Sequence, residues 1–258
     1  YDRRDIDIDD PSRAVTAGDL DGDGDRDLAI VTRGEPAWLR NDGQANFDGP
    51  LPLLAENAPD VSVFSLALGD VDGDGRLDLL LGGQERFDEA AGTQEPAAEL
   101  LLLGSESGFV DQSGRIPSQP TEDLTFLAAL ADLDDDGDLD IYEINDAKDI
   151  GMAHEDSGLG NRLLRNEGAT FSDVTKGSGA GIVTSGMGGA VGDYDNDGRM
   201  DFYVTAMRPD ANALLHNDGG MRFSNTTAAM QADTLADAHD VGWGAVFFDA
   251  DSDGLLDL

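Results

Sequence analysis

The sequence predicts an all-β protein built by repeating one unit of about four strands. Three observations carry this. A nine-residue loop with aspartate at positions 1, 3, 5 and 9 and glycine at position 6 recurs five times. The loops are flanked by apolar runs of strand length, such as residues 65–68 and 79–81, rather than by helical periodicity. An Asn-x-Gly turn followed by phenylalanine returns at Asn41-Asp42-Gly43 with Phe47, Asn166-Glu167-Gly168 with Phe171, and Asn217-Asp218-Gly219 with Phe223. Asparagine and glycine are turn formers, and the recurring phenylalanine reads as packing between repeats.

The first loop is Asp19-Leu20-Asp21-Gly22-Asp23-Gly24-Asp25-Arg26-Asp27. The second places its aspartates at Asp70, Asp72, Asp74 and Asp78, and the third at Asp132, Asp134, Asp136 and Asp140. The fourth has Asp193, Asp195, Asp197 and Asp201, and the fifth Asp249, Asp251, Asp253 and Asp257. Their first aspartates lie 51, 62, 61 and 56 residues apart. Alternate residues of a tight loop can aim carboxylates at one point. A hard cation such as calcium takes six to eight oxygens at roughly 2.3–2.6 Å. Position 7 (Asp25, Arg76, Asp138, Arg199 and Leu255) can add a backbone carbonyl. A single copy is equally well a solvated acidic turn. Five intact copies at quasi-regular spacing signal a repeat architecture, with about five calcium ions, one per loop.

An EF-hand loop begins the same way but ends on glutamate at position 12, between two helices. Position 12 in the first four loops is Ile30, Leu81, Glu143 and Val204, and no helical pattern flanks them. Thrombospondin-type acidic repeats need cysteine, and the chain has none. What remains is a loop joining two antiparallel strands, closed by the aspartate at position 9. Half-blade motifs accompany it at Trp38-Leu39-Arg40-Asn41, Asn161-Arg162-Leu163-Leu164-Arg165-Asn166 and Asn212-Ala213-Leu214-Leu215-His216-Asn217. In these features the chain resembles the FG-GAP/VCBS repeats, the calcium-hairpin blades of integrin α-chain propellers. The run Gly242-Trp243-Gly244-Ala245-Val246-Phe247-Phe248-Asp249 is similar to the cartilage-acidic-protein (ASPIC/UnbV-associated) branch. The resemblance implies a β-propeller of four-stranded blades with a calcium loop in each first hairpin. Such a propeller is expected to have seven blades when complete, with four blades and part of a fifth present here.

Residues 1–10 alternate as Ile6-Asp7-Ile8-Asp9 and read as a strand of a preceding or closing blade. Blade 1 (11–59) takes strands at 13–18, 28–32, 37–40 and around Phe47. Blade 2 (60–120) takes 61–69, 77–81, 99–103 and 108–111. Blade 3 (121–180) takes 125–131, 139–144, 162–165 and 170–174. Blade 4 (181–230) takes 188–192, 200–206, 213–216 and 221–225. The start of blade 5 (231–258) takes 242–248. First strands are rich in small residues (Gly186, Gly188, Gly189 and Ala190; Gly242, Gly244 and Ala245), which suits crowding near a propeller axis. The fifth loop ends at Asp257, so further chain after Leu258 is expected to cover the apolar edge.

The connections 82–98, 145–160 and 227–241 are long or variable. On a propeller they lie on the face opposite the calcium loops, and variable loops on a rigid scaffold are where partner contact is expected. Arg86-Phe87 in the first of them is a basic–aromatic pair of interface type. His154 and His239 lie on the same face, whereas His216 sits in a strand and reads as structural; the three histidines share no ligand spacing. Trp38 and Trp243 read as core or blade-interface residues. Glu143 is the misfit, a carboxylate where the other blades carry Ile30, Leu81 and Val204. It must be salt-bridged, lean toward the calcium, or line a cavity.

The chain has 258 residues with 16 basic and 54 acidic side chains, a formal net charge of −38. With 40% hydrophobic residues it can bury a core despite that charge. Such acidity repels nucleic acid and anionic membranes, and no apolar run reaches membrane-spanning length. No nucleophile elbow, phosphate loop or zinc motif is present, so no enzyme is expected. Calcium loops of this kind suit calcium-rich compartments, which predicts a secreted, extracellular or periplasmic setting. The expected role is a protein-interaction or adhesion module, compatible with a place in a larger assembly. The alternative is a glycan-binding lectin, and a polysaccharide-acting enzyme is third.

Overall fold

The computed structural model describes residues 12–32, 36–54, 62–88, 93–96, 99–118, 124–146, 160–233 and 240–258. These form four antiparallel sheets, with helix confined to a 3-10 turn at Ser113–Arg115 and one short helix, α1 (Thr227–Met230). The first sheet runs in chain order through β1 (Ala14–Gly18), β2 (Asp27–Val31), β3 (Ala37–Asn41) and β4 (Phe47–Pro52). The second comprises β5 (Ser62–Gly69), β6 (Asp78–Asp88), β7 (Thr93–Pro96), β8 (Leu100–Ser105) and β9 (Gly108–Asp111). The third holds β10 (Thr125–Ala131), β11 (Asp140–Asn145), β12 (Arg162–Asn166) and β13 (Phe171–Asp173). The fourth holds β14 (Gly186–Gly192), β15 (Asp201–Ala206), β16 (Ala213–Asn217) and β17 (Phe223–Asn225). Consecutive up-and-down pairing of four strands is the blade unit of a propeller.

Register repeats from blade to blade. The first hairpins close on Gly18 opposite Asp27, Gly69 opposite Asp78, Ala131 opposite Asp140, and Gly192 opposite Asp201. Each aspartate loop is therefore the turn of a first-to-second-strand hairpin, with position 9 as the first residue of the second strand. No helix flanks any loop, which removes the EF-hand reading.

The chain divides into two compact units, residues 1–113 and 114–258. In the first, sheet packs on sheet through Ala29, Val31, Val63, Leu79, Leu81 and Leu102. In the second, Tyr142, Ile144 and Leu163 of one blade meet Phe202, Val204 and Leu215 of the next. The Tyr142 and Phe202 rings stack with centroids 4.0 Å apart. Phe223 packs 5.3 Å from Phe202 of its own blade, inside the core that the third and fourth blades share. The glycines of β14 answer to backbone crowding. A Cβ on Gly188 would lie 2.2 Å from the Trp243 carbonyl oxygen, and one on Gly189 2.3 Å from that of Tyr203.

Gly179 gives a sharp test of such close approach. It has φ +85°, and a Cβ there would lie 2.1 Å from the Phe223 carbonyl oxygen. Gly177 has a similar φ of +82° but open space around it. Gly179→Ala is expected to cost about 2–4 kcal/mol, combining left-handed strain with overpacking, and Gly177→Ala only about 1–2 kcal/mol. Chemical denaturation of the two variants measures the difference.

Three expectations need correction. The 82–98 connection is not simply a loop, because β6 continues to Asp88 and pairs with β7 in a hairpin arm. Leu79–Leu81 pair with Leu100–Leu102 of β8, and the arm extends beyond them. The fifth repeat does not form the expected 242–248 strand. It makes only isolated bridges, Met207 to Val241 and Phe248 to Asp257, because residues 243–247 have no strand partner among the described residues. Consequently Trp243 is not core. It is 61% exposed and edge-on to Phe126. Trp38 packs against the first unit's core as expected. The closing strand at 1–10, most of 145–160, the 234–239 part of 227–241, His154 and His239 lie outside the described residues, as do the side chains of Arg86 and Phe87.

Candidate metal-binding loops

Each loop is held by one hydrogen-bond scheme. The position-1 aspartate accepts the N–H of the position-6 glycine: Asp19 from Gly24 at 3.0 Å, Asp70 from Gly75 at 2.9 Å, Asp132 from Gly137 at 3.1 Å, Asp193 from Gly198 at 2.9 Å, and Asp249 from Gly254 at 3.0 Å. Those glycines have φ between +87° and +95°, where any Cβ strains the backbone. The position-5 carboxylate accepts the N–H of position 7 at 2.8–3.0 Å in all five loops. The sequence thus folds the loop into a ring whose carboxylates converge.

The position-9 aspartate does more than close the loop. Asp27, Asp78, Asp140 and Asp201 are fully buried. One oxygen accepts the N–H of position 2, from Leu20, Val71, Leu133 and Tyr194 at 2.7–3.2 Å. The other accepts a third-strand N–H, from Asn41, Gly104, Asn166 and Asn217 at 2.7–2.8 Å. A single carboxylate therefore clips loop, second strand and third strand together. Asp257 repeats the first half of the clip with Ala250 N–H at 2.9 Å. The Asn-x-Gly asparagines complete the joint, since Asn41, Asn166 and Asn217 donate to the carbonyls of Arg26, Leu139 and Met200 at 3.0–3.1 Å.

Among the described residues, carboxylate oxygens come within 4.8 Å of one another in at least four loops: Asp19, Asp21 and Asp27; Asp70, Asp72 and Asp78; Asp132, Asp134 and Asp136; Asp193, Asp195 and Asp197. In the third loop an oxygen of Asp132 and one of Asp134 are buried without a hydrogen-bond partner. Buried acceptors in that condition are costly, and a cation would satisfy them. The all-oxygen donor set is that of a hard divalent ion. Position-7 arginines partly neutralise their loops, with Arg76 on the Asp74 carboxylate at 2.8 Å and Arg199 paired with Asp197.

Burial raises the Asp140 carboxyl from an ordinary 3.8 to about 7, reinforced by Asp134 and Asp136 and opposed by its two N–H donors. Burial likewise raises Asp78, Asp134 and Asp201. A carboxyl whose folded pKa exceeds its unfolded one favours the fold most when both forms are protonated. In metal-free protein, stability from Asp140 should therefore be complete below about pH 3.8 and decline as pH rises toward about 7. A bound cation should remove that decline. Thermal unfolding across this range, with and without calcium, measures it.

Glu143 is wholly buried and paired at 3.0 Å with Arg162, its cross-strand neighbour. Of the three options for this residue, the salt bridge is the one found. His216 sits in a strand, β16, as read from the sequence, but its ring reaches a loop that the sequence reading did not connect to it. Its Nδ1 lies 3.4 Å from Asp195 and 3.3 Å from Asp201, inside the fourth loop. Spacing along the chain hid this, because Asp195 lies in the turn between β14 and β15 whereas His216 lies in β16. The signal available was its place immediately before Asn217 in the repeated half-blade motif.

These are the features of an all-β repeat protein whose blades carry an acidic turn in the first hairpin. A model of the FG-GAP-like repeat matches residues 19–81, 132–204 and 193–258; the chain belongs to that family. No curated protein matches it. Among solved structures it is similar to an Agrocybe aegerita lectin recognising non-reducing terminal N-acetylglucosamine, at 18% identity and a TM-score of 0.45. That match covers 81% of this chain and 49% of the lectin. It is also similar to the V. cholerae biofilm matrix protein Bap1, at 17% identity and a TM-score of 0.40, over 81% of this chain and 27% of that one. The chain thus spans about half or less of the solved structures it matches.

Proposed function

We propose that this chain is a calcium-stabilised binding module working in a calcium-rich setting, extracellular or periplasmic, and that it has no catalytic activity. The observation that carries the metal reading is the third loop, where buried oxygens of Asp132 and Asp134 lack partners within a converging carboxylate set. Asp132, Asp134, Asp136 and Asp140 would hold the ion there, with the equivalent aspartates in the other loops. Calcium would neutralise the cluster and leave a rigid scaffold. Loop sites in extracellular modules bind at roughly 10⁻⁴–10⁻³ M, which matches such compartments and leaves the sites empty in a cytosol. Calcium titration into metal-free protein by calorimetry is expected to give about one ion per intact loop. Asp134→Asn should remove one ion from that count, and an unchanged count would refute the assignment.

A glycan reading has its own support. A cleft of about 650 Å³ in the second unit is lined by Thr184, Asp210, Asn212, Asn225, Gln231 and Asp233 among others. The Thr184 hydroxyl is buried there without a hydrogen-bond partner. Convergent hydroxyl, amide and carboxylate groups suit a neutral polyhydroxylated ligand. Glycan-array binding that Thr184→Val abolishes would favour this reading. An array with no ligand above background would leave protein contact as the role.

A further inference from the structure

The fourth loop differs from its sisters in one donor. The residue preceding the third-strand N–H that clips position 9 is Arg40, Leu103 and Arg165 in the first three blades, and His216 in the fourth. Leucine offers no ligand, and arginine stays charged and offers no lone pair. In the third blade Arg165 Nε merely stands 3.9 Å from Asp134. His216 instead brings an imidazole nitrogen against two loop carboxylates.

We propose that Asp195, Asp201 and His216 form a site for a divalent transition-metal ion of the zinc class, distinct in ligand chemistry from the all-oxygen loops. The inference rests on the reading that these loops hold cations. One donor atom from each of the three residues falls within 4.8 Å of the others. Nδ1 is shielded from solvent and has no hydrogen-bond partner. Its distances of 3.4 Å to Asp195 Oδ2 and 3.3 Å to Asp201 Oδ1 match the edge, about 3.3 Å, of a tetrahedron with bonds of roughly 2.0–2.1 Å. Asp201 is preorganised, since Asn217 N–H fixes Oδ1 at 2.7 Å and Tyr194 N–H fixes Oδ2 at 3.2 Å. Asp218 Oδ1 lies 3.7 Å from Nε2. That separation is beyond hydrogen-bond reach, so the case for the site rests on Nδ1 and the two loop carboxylates. Mixed nitrogen–oxygen sets favour zinc-class ions, whereas calcium takes oxygen.

The competing role for His216 is a protonated ion pair with the same carboxylates. His216→Arg separates the two, because it keeps a cation where Arg40 and Arg165 already stand in sister blades. Zinc is titrated by calorimetry into the full chain in saturating calcium, and cobalt(II) is followed by its visible ligand-field band. Wild type should bind one zinc under these conditions. His216→Arg should bind it at least about tenfold more weakly and lose the cobalt band, with calcium binding at the other loops and the melting temperature retained. Unaltered zinc affinity in His216→Arg overturns the proposal. Failure of wild type to bind zinc while calcium still binds also overturns it and leaves the calcium reading standing. Failure of both ions to bind removes both.

Discussion

Removing the proposed calcium ions is expected to lower the melting temperature by tens of degrees or to unfold the chain. Each ion that binds only the native state adds about 2.7 kcal/mol at a hundredfold excess over its dissociation constant. Several sites together rival the whole stability of a typical domain, roughly 5–15 kcal/mol. The cost of leaving the sites empty adds to this. Asp27, Asp78, Asp140 and Asp201 are buried beside other aspartates, and the chain carries a net charge of −38. Self-repulsion of that size destabilises a compact state. Scanning calorimetry in calcium and in EGTA reads the effect. Coincident melting curves would contradict a structural role for the metal.

Breaking the Glu143–Arg162 pair is the largest single-residue effect expected. Both side chains are buried, 3.0 Å apart, where the other blades pair Ile30 with Ala37, Leu81 with Leu100, and Val204 with Ala213. Arg162 also donates to the Pro117 carbonyl at 3.0 Å and approaches Asp173 at 3.6 Å. Glu143→Leu leaves that guanidinium buried beside an apolar side chain, at a cost of about 3–5 kcal/mol. The double variant Glu143→Leu/Arg162→Leu copies the second blade's Leu81–Leu100 pair. It should recover most of the loss, because replacing a buried ion pair by packed apolar groups is often neutral. A double-mutant cycle by denaturant unfolding measures both. If the double variant is as damaged as the single one, the charge-burial account of this position fails.

What could be read along the chain was what repeats along the chain. The period of the Asp-x-Asp-x-Asp-Gly-x-x-Asp loop located four first hairpins, and strand alternation located most of their partners. Glu143 stood out because three sister positions are apolar. The sequence was silent where the controlling contact joins distant segments. The position-9 aspartates read as metal ligands, yet Asp140 also binds Asn166 N–H, 26 residues away. His216 looked isolated until β16 set it against a loop two strands back. The 82–88 extension was hidden because Gly82-Gly83-Gln84 resembles a loop opening, and pairing with β7 overrides that local preference. At the fifth repeat the motif is intact, but motif alone does not supply a partner strand for Trp243 and its neighbours.

The proposed function requires these loops to be cation sites and not solvated acidic turns. Anomalous diffraction from crystals of this chain grown in calcium tests it most directly. The expected result is a calcium peak inside the third loop, bound by Asp132, Asp134 and Asp136, with equivalent peaks in the first and second loops. Loops that hold only water at saturating calcium, with Asp132 and Asp134 turned out to solvent, would contradict it.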